Sequence, residues 1–188
     1  MSAHSEIVVE EFYDLCNKAY SDWRILKVLF DDNPNRTRLE LTIPGSVIQR
    51  FRELLQESFL LQIAKLHDPA IMQGQAILGI EYVVRFGGWD ETIDLKLRAL
   101  QTELNELAKK IRPARHKILS HNDLETILNH SLLGAFLEKE DENYFVTLQK
   151  FFNYVHDDVI GGPKQFGQEA SNDAKAFLMV FETLSTQT

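Results

Sequence analysis

The stretch Ile93-Asp94-Leu95-Lys96-Leu97-Arg98-Ala99-Leu100-Gln101-Thr102-Glu103-Leu104-Asn105-Glu106-Leu107-Ala108-Lys109-Lys110-Ile111 sets Ile93, Leu97, Leu100, Leu104, Leu107 and Ile111 at steps of four and three without a miss. That period is the seam of an α-helix packed along its length on other helices. The other long apolar patterns of the chain share it, so the sequence predicts an all-α fold: a single helical bundle of six to seven helices over residues 1–188.

Beyond Ile111 the register continues through Ala114 and Ile118, with Pro113 between them. Proline removes one backbone hydrogen bond and collides with the preceding turn, which predicts a kink there. His121 is the next seam position, aimed where the leucines are aimed. This segment, with the two lysines leading into it, carries five fixed cations (Lys109, Lys110, Arg112, Arg115, Lys117) and two histidines, in a protein of formal net charge −8. Arg, His and a helix boundary together point to an anion, with phosphate the first choice. Asn122 or Asp123 caps a following helix, with Glu125 at the capping-box distance from Asn122 and Leu124, Ile127, Leu128, Leu132 and Phe136 on its apolar face.

Toward the N-terminus, Val8, Phe12, Leu15, Ala19, Trp23, Leu26 and Phe30 make one helix face, which the Asp31–Asn35 turn stops. Arg36 to Ile43 alternates weakly and reads as an extended connection. Ser46 is the expected cap of a helix with Val47, Phe51, Leu55, Phe59, Ile63 and Leu66 on one stripe, ended by His67-Asp68-Pro69. Residues 76–86, apolar and β-branched, read as a short helix or a strand, with the helical neighbours favouring helix, broken by Gly87-Gly88. Toward the C-terminus, Glu138 to Glu142 reads as a solvated turn. Phe145, Leu148, Phe152, Val155 and Val159 form a helix closed by Gly161-Gly162-Pro163, and Ala170, Ala174, Phe177, Phe181 and Leu184 form the last.

The hydrophobic content of 44% and charged content of 26% are those of an ordinary soluble domain. The lone Cys16 excludes an intrachain disulfide and reads as a small apolar residue on a helix. No secretion signal or membrane span is legible, so a cytoplasmic protein with no membrane partner is expected. The acidic balance excludes broad electrostatic coating of nucleic acid, yet leaves room for a local basic groove.

Arg115 and His121 lie six positions apart, roughly 120° around a regular helix, so they do not face one way. A kink, or the same segment of a second subunit, can bring such groups together. A two-fold contact along the leucine seam would place two Arg and two His in one cleft.

With five residues between Arg115 and His121 and the polar His116 directly after the Arg, the segment resembles the signature of the HEPN superfamily. The ending Ser120-His121-Asn122-Asp123, the Leu66-His67-Asp68-Pro69-Ala70 turn after an apolar helix and the aromatic-rich C-terminal helix resemble its abortive-infection Abi U branch. The resemblance implies a homodimeric, metal-independent endoribonuclease with no cofactor, a toxin or antiphage effector acting on RNA. It also admits a cognate antitoxin or a nucleotidyltransferase as partner. On that reading His121 is the acid/base group, Arg115 the phosphate-binding group and His116 an auxiliary. Asn122 donates to substrate, and Lys109, Lys110, Arg112 and Lys117 steer the strand.

Two other readings stay open. His67-Asp68 and His156-Asp157-Asp158 are His-Asp pairs of the kind that all-α metal phosphohydrolases use as ligands, with His116, His121 or His130 to complete a set. The third is a non-catalytic, antitoxin-like helical interaction module.

Overall fold

In the computed structural model the described residues are 5–34, 44–109, 111 and 139–185. Among them are six α-helices: α1 Glu6–Leu26, α2 Gly45–Leu66, α3 Ile80–Phe86, α4 Glu91–Ala108, α5 Glu140–Val159 and α6 Glu169–Ser185. The one sheet among the described residues is a hairpin, β1 Ile71–Met72 and β2 Gln75–Ala76. The all-α reading holds. The expected helix over residues 122–136, the kink at Pro113 and the connection over residues 36–43 lie outside the described residues.

The chain divides into two compact units. The first comprises Met1–Cys16 and Leu60–Phe166. Its centre is the pair α4 and α5, which pack on each other. Glu103 meets Thr147 (2.7 Å) and the Lys96 ammonium lies 4.9 Å from the Tyr154 ring centre, so the two helices run antiparallel. Leu97, Leu104 and Ile111 of the seam are fully buried together with Ala108 beside them, Ile93, Leu100 and Leu107 are half-buried, and Leu148, Phe151, Phe152 and Val155 of α5 are fully buried. The aromatic side of α5 continues onto the first part of α1, where Phe12 packs edge-on against Phe151 at 6.0 Å between ring centres. Cys16 is buried there too, the small apolar packing residue that the sequence suggested.

The hairpin was not legible beforehand. Its loop is Gln73-Gly74, both at positive φ (50° and 81°), the geometry of a two-residue turn that twists with its strands. Each strand is two residues long, too short to produce an alternating pattern. Just beyond it, a Cβ on Gly79 would lie 2.9 Å from the Leu66 carbonyl oxygen, so this backbone closes against the end of α2 only without a side chain. The Trp89 indole donates to the Val83 carbonyl (2.9 Å) and folds over Gly87, where a Cβ would meet the ring at 2.0 Å.

The second unit comprises Asn17–Phe59 and Gly167–Thr188. Here α1 passes into one turn of π-helix, Lys27–Asp31, closed by the Asp32 amide on the Lys27 carbonyl (2.8 Å). The widened turn lets three successive residues, Val28, Leu29 and Phe30, all face the core, which a regular helix does not allow. They pack with Ile48 of α2 and Ala174 of α6.

Several local expectations are corrected. The second helix starts at Gly45, and the Pro44 carbonyl, accepting from Val47 and Ile48, begins its ladder, so Ser46 lies inside the first turn. At this end Ile48 is buried, while Val47 and Phe51 are exposed. On α6 the buried positions are Ser171 and Ala174, and Phe177 is 40% exposed. The acidic run is no loop: Glu140, Asp141 and Glu142 form the first turn of α5, where their charge complements the helix dipole.

Candidate active site

The chain approaches the Arg/His segment along α4. Asp90 caps this helix, its carboxylate accepting from the Ile93 amide (2.9 Å), and Glu91 and Asp94 add negative charge at the positive end of the dipole. At the other end the helix does not run smoothly through Ile111 as the seam suggested. Lys109 N donates to Glu106 O (3.3 Å) and Ile111 N to Ala108 O (2.9 Å), three-residue bonds that tighten the chain after Ala108.

Of the residues assigned to the site, Lys109 is described. It is exposed, and its ammonium sits 3.4 Å from Glu106 Oε2. Lys110, Arg112, Arg115, His116, Lys117, His121 and Asn122 lie outside the described residues. Ile111 between them is fully buried, which fixes the start of the segment to the core of the first unit.

A buried polar bridge holds the elements that flank this segment. His67, at the end of α2, places Nδ1 2.9 Å from Asn105 Oδ1 on α4 and Nε2 2.9 Å from the Tyr144 hydroxyl on α5. The Asn105 oxygen can only accept, so Nδ1 donates to it, and in the neutral ring Nε2 accepts from the Tyr144 hydroxyl. Burial pushes the Tyr144 hydroxyl well above its ordinary pKa, with a smaller contribution from Cys16, which keeps it a donor. Asn105 lies one turn before the end of α4 and Tyr144 in the second turn of α5, so His67 clamps both exits of residues 109–139. Sequence reasoning missed Asn105 and Tyr144. Neither stands in a motif, and their convergence on His67 is a tertiary contact that spacing does not encode.

The second His-Asp group is also accounted for locally. His156 Nδ1 donates to the Gly162 carbonyl (2.7 Å), and the Gly162 amide donates to Asp157 Oδ1 (2.8 Å). These bonds fasten the end of α5 to the Gly161-Gly162 turn, whose φ values of +104° and +75° suit glycine. His156 Nε2 faces Glu10 Oε1 at 3.9 Å, and Lys164 pairs with the same carboxylate. Among the described residues no group of three or more His, Cys, Asp or Glu side chains is placed to hold a metal ion. His67, His156 and Asp157 act here as structural hydrogen-bonding groups.

No helix among the described residues is long and apolar enough to cross a membrane. No curated protein and no solved structure matches the chain. The family model described as AbiU2, of the HEPN group, matches residues 2–177, which include the whole segment from Lys109 to Asp123. With a match over nearly the whole length, the chain belongs to the AbiU2 family of HEPN domains.

Proposed function

We propose that this protein is a metal-independent endoribonuclease, an abortive-infection effector whose site is built from Arg115 and His121 of two copies of the chain. The observation that carries the reading is the family match across residues 2–177, with Arg115, five residues and His121 inside it. We read residues 1–188 as one functional domain.

The chemistry needs few parts. RNA carries its own nucleophile, the 2′-hydroxyl, so cleavage requires proton transfer and stabilisation of the charge that builds on the phosphate. His121, with an imidazole that titrates near neutrality, takes the 2′-hydroxyl proton or supplies one to the departing 5′-oxygen. Arg115 stays charged and holds the non-bridging oxygens as the transition state forms. His116 orients the phosphate, Asn122 donates to substrate, and Lys109, Lys110, Arg112 and Lys117 guide the strand.

A second copy supplies the matching pair, since Arg115 and His121 point apart on one regular helix. Leu97, Leu104 and Ile111 of the seam are buried within one chain, so any part the seam takes in the two-fold contact falls to the half-buried Ile93, Leu100 and Leu107 and to the Arg/His segment beyond.

The test is cleavage of single-stranded RNA in excess chelator. The wild type cuts RNA and leaves DNA of the same sequence intact, while His121→Ala and Arg115→Ala each lose about a hundredfold or more in rate. Mixing the two inactive variants restores part of the activity if the site is composite. Cutting that depends on added metal, or a folded protein that cuts nothing, contradicts the proposal.

A further inference from the structure

The second unit holds a groove of about 440 Å³ that none of the chemistry above uses. Asn17, Ser21, Ile25 and Leu29 step by four along α1 and its π turn to form one wall. Glu169, Asp173 and Phe177 step likewise along α6, and Phe51 of α2 closes the apolar end. The Gly167 amide on Asn17 Oδ1 (2.8 Å) and the packing of Leu29 with Ala174 show that the two walls run in the same direction. The groove is therefore graded: amide, hydroxyl and two carboxylates at one end, aliphatic and aromatic groups at the other.

Its polar end is built rather than incidental. The Glu169 carboxylate folds over Gly167, where a Cβ would lie 2.1 Å from Oε2, so the absence of a side chain there makes room for the charge. Among the described residues, the ionisable groups lining the groove are both carboxylates. The apolar end extends past the groove. Val47 and Leu54 (58% and 47% exposed) flank Phe51 one turn to either side, and Val180 (57% exposed) follows Phe177. From Val47 to Leu54 that row spans about 10 Å. A small ligand would need the pocket alone, whereas a row of this length bordered by charge has the character of a protein-docking surface.

We propose that the groove seats an amphipathic helix of a partner protein, which sets its apolar stripe on Phe51 and Phe177 and a Lys or Arg against Glu169 and Asp173. The four to eight residues separating Phe177 from those acids correspond to about 6–12 Å. The ligand helix thus carries its cation one to two turns from its apolar anchors, the helix-in-groove mode of recognition with an electrostatic end-stop.

The test uses the full chain and a labelled synthetic helix of about 18 residues, long enough to hold its conformation, with Leu at i, i+3 and i+4 and Lys at i+7 and i+8. Fluorescence anisotropy compares it with a twin that carries Glu in place of Lys. Tight binding of the Lys peptide, about tenfold or more better than the Glu twin, is expected. The exposed double variant Glu169→Gln/Asp173→Asn removes most of that preference, about five- to tenfold for two partly exposed ion pairs. Phe51→Ser weakens both peptides and leaves the far-ultraviolet circular dichroism unchanged.

Three results overturn the proposal: equal binding of the two peptides, binding of neither, or displacement by spermine as effective as by unlabelled Lys peptide, which marks a small-amine pocket. Loss of a solution dimer in Phe51→Ser also overturns it, by assigning this face to a second copy. None of these readouts uses RNA cleavage, so the ribonuclease reading stands or falls separately.

Discussion

Tyr144 is fully buried, and its hydroxyl serves as one partner of a buried imidazole. Tyr144→Phe keeps the packing and leaves His67 Nε2 without its donor. A buried polar atom stripped of its partner costs about 1–3 kcal/mol, so urea unfolding should show a loss of that size. Alkaline pH gives a second residue-scale prediction. Burial raises the Cys16 thiol well above its ordinary 9.0 and the Tyr144 hydroxyl well above its ordinary 10.0. The native state therefore keeps protons that the unfolded chain releases, and stability is fully present below those ordinary values. It falls as pH rises past them, because the native state then binds more protons than the unfolded one. In Cys16→Ala the onset of the fall moves from near pH 9.0 to near 10.0. An unchanged onset would show that the thiol does not titrate between the two states.

In α4 the seam and the Gly87-Gly88 break before it were expected from residue type and spacing, while the Asp90 cap was not singled out. Asp90→Ala should cost about 1 kcal/mol of stability and Asp90→Asn a few tenths, measured by thermal or urea unfolding. Periodicity failed where burial depends on a neighbour rather than on the helix itself. Phe51 and Phe177 sit in apolar stripes yet remain 40% exposed, while Ile48 and Ser171, off those stripes, are buried. The acids at Glu140 to Glu142 looked like a loop because charge runs commonly are, but a helix N-terminus welcomes them equally. The π turn at Lys27–Asp31 has no sequence mark, since its residues are compatible with an ordinary helix and the packing of Val28, Leu29 and Phe30 selects the wider turn. Gly87 gives a sharper test. Gly87→Ala drives a methyl into the Trp89 indole, so tryptophan emission should shift along with a loss of stability of about 1–3 kcal/mol. Emission identical to wild type would mean that the ring does not lie over this glycine.

For the molecule as a whole, the formal charge of −8 and a single cationic segment predict selective, local contact with nucleic acid. Five cations from Lys109 to Lys117 in each of two copies, at about 0.7 per phosphate contact on a single strand, give a log–log salt slope no steeper than about −7 for the two-copy site. A much steeper slope would require a second basic surface. The family and the helical order were legible because the Arg-x5-His spacing and the apolar seam are both local patterns. The His67 clamp was not, because it joins residues 38 and 77 positions apart. The claim on which the function rests is that the 2′-hydroxyl of RNA attacks the phosphate held by Arg115 and His121. Its most direct test is a single-stranded RNA with one 2′-deoxynucleotide at a mapped cleavage position, digested in excess chelator with the product ends identified. The account predicts that the substituted bond resists and that cleavage at unsubstituted bonds leaves a 2′,3′-cyclic phosphate. Cutting at the deoxy position, or products ending in a 3′-hydroxyl and a 5′-phosphate, would contradict it.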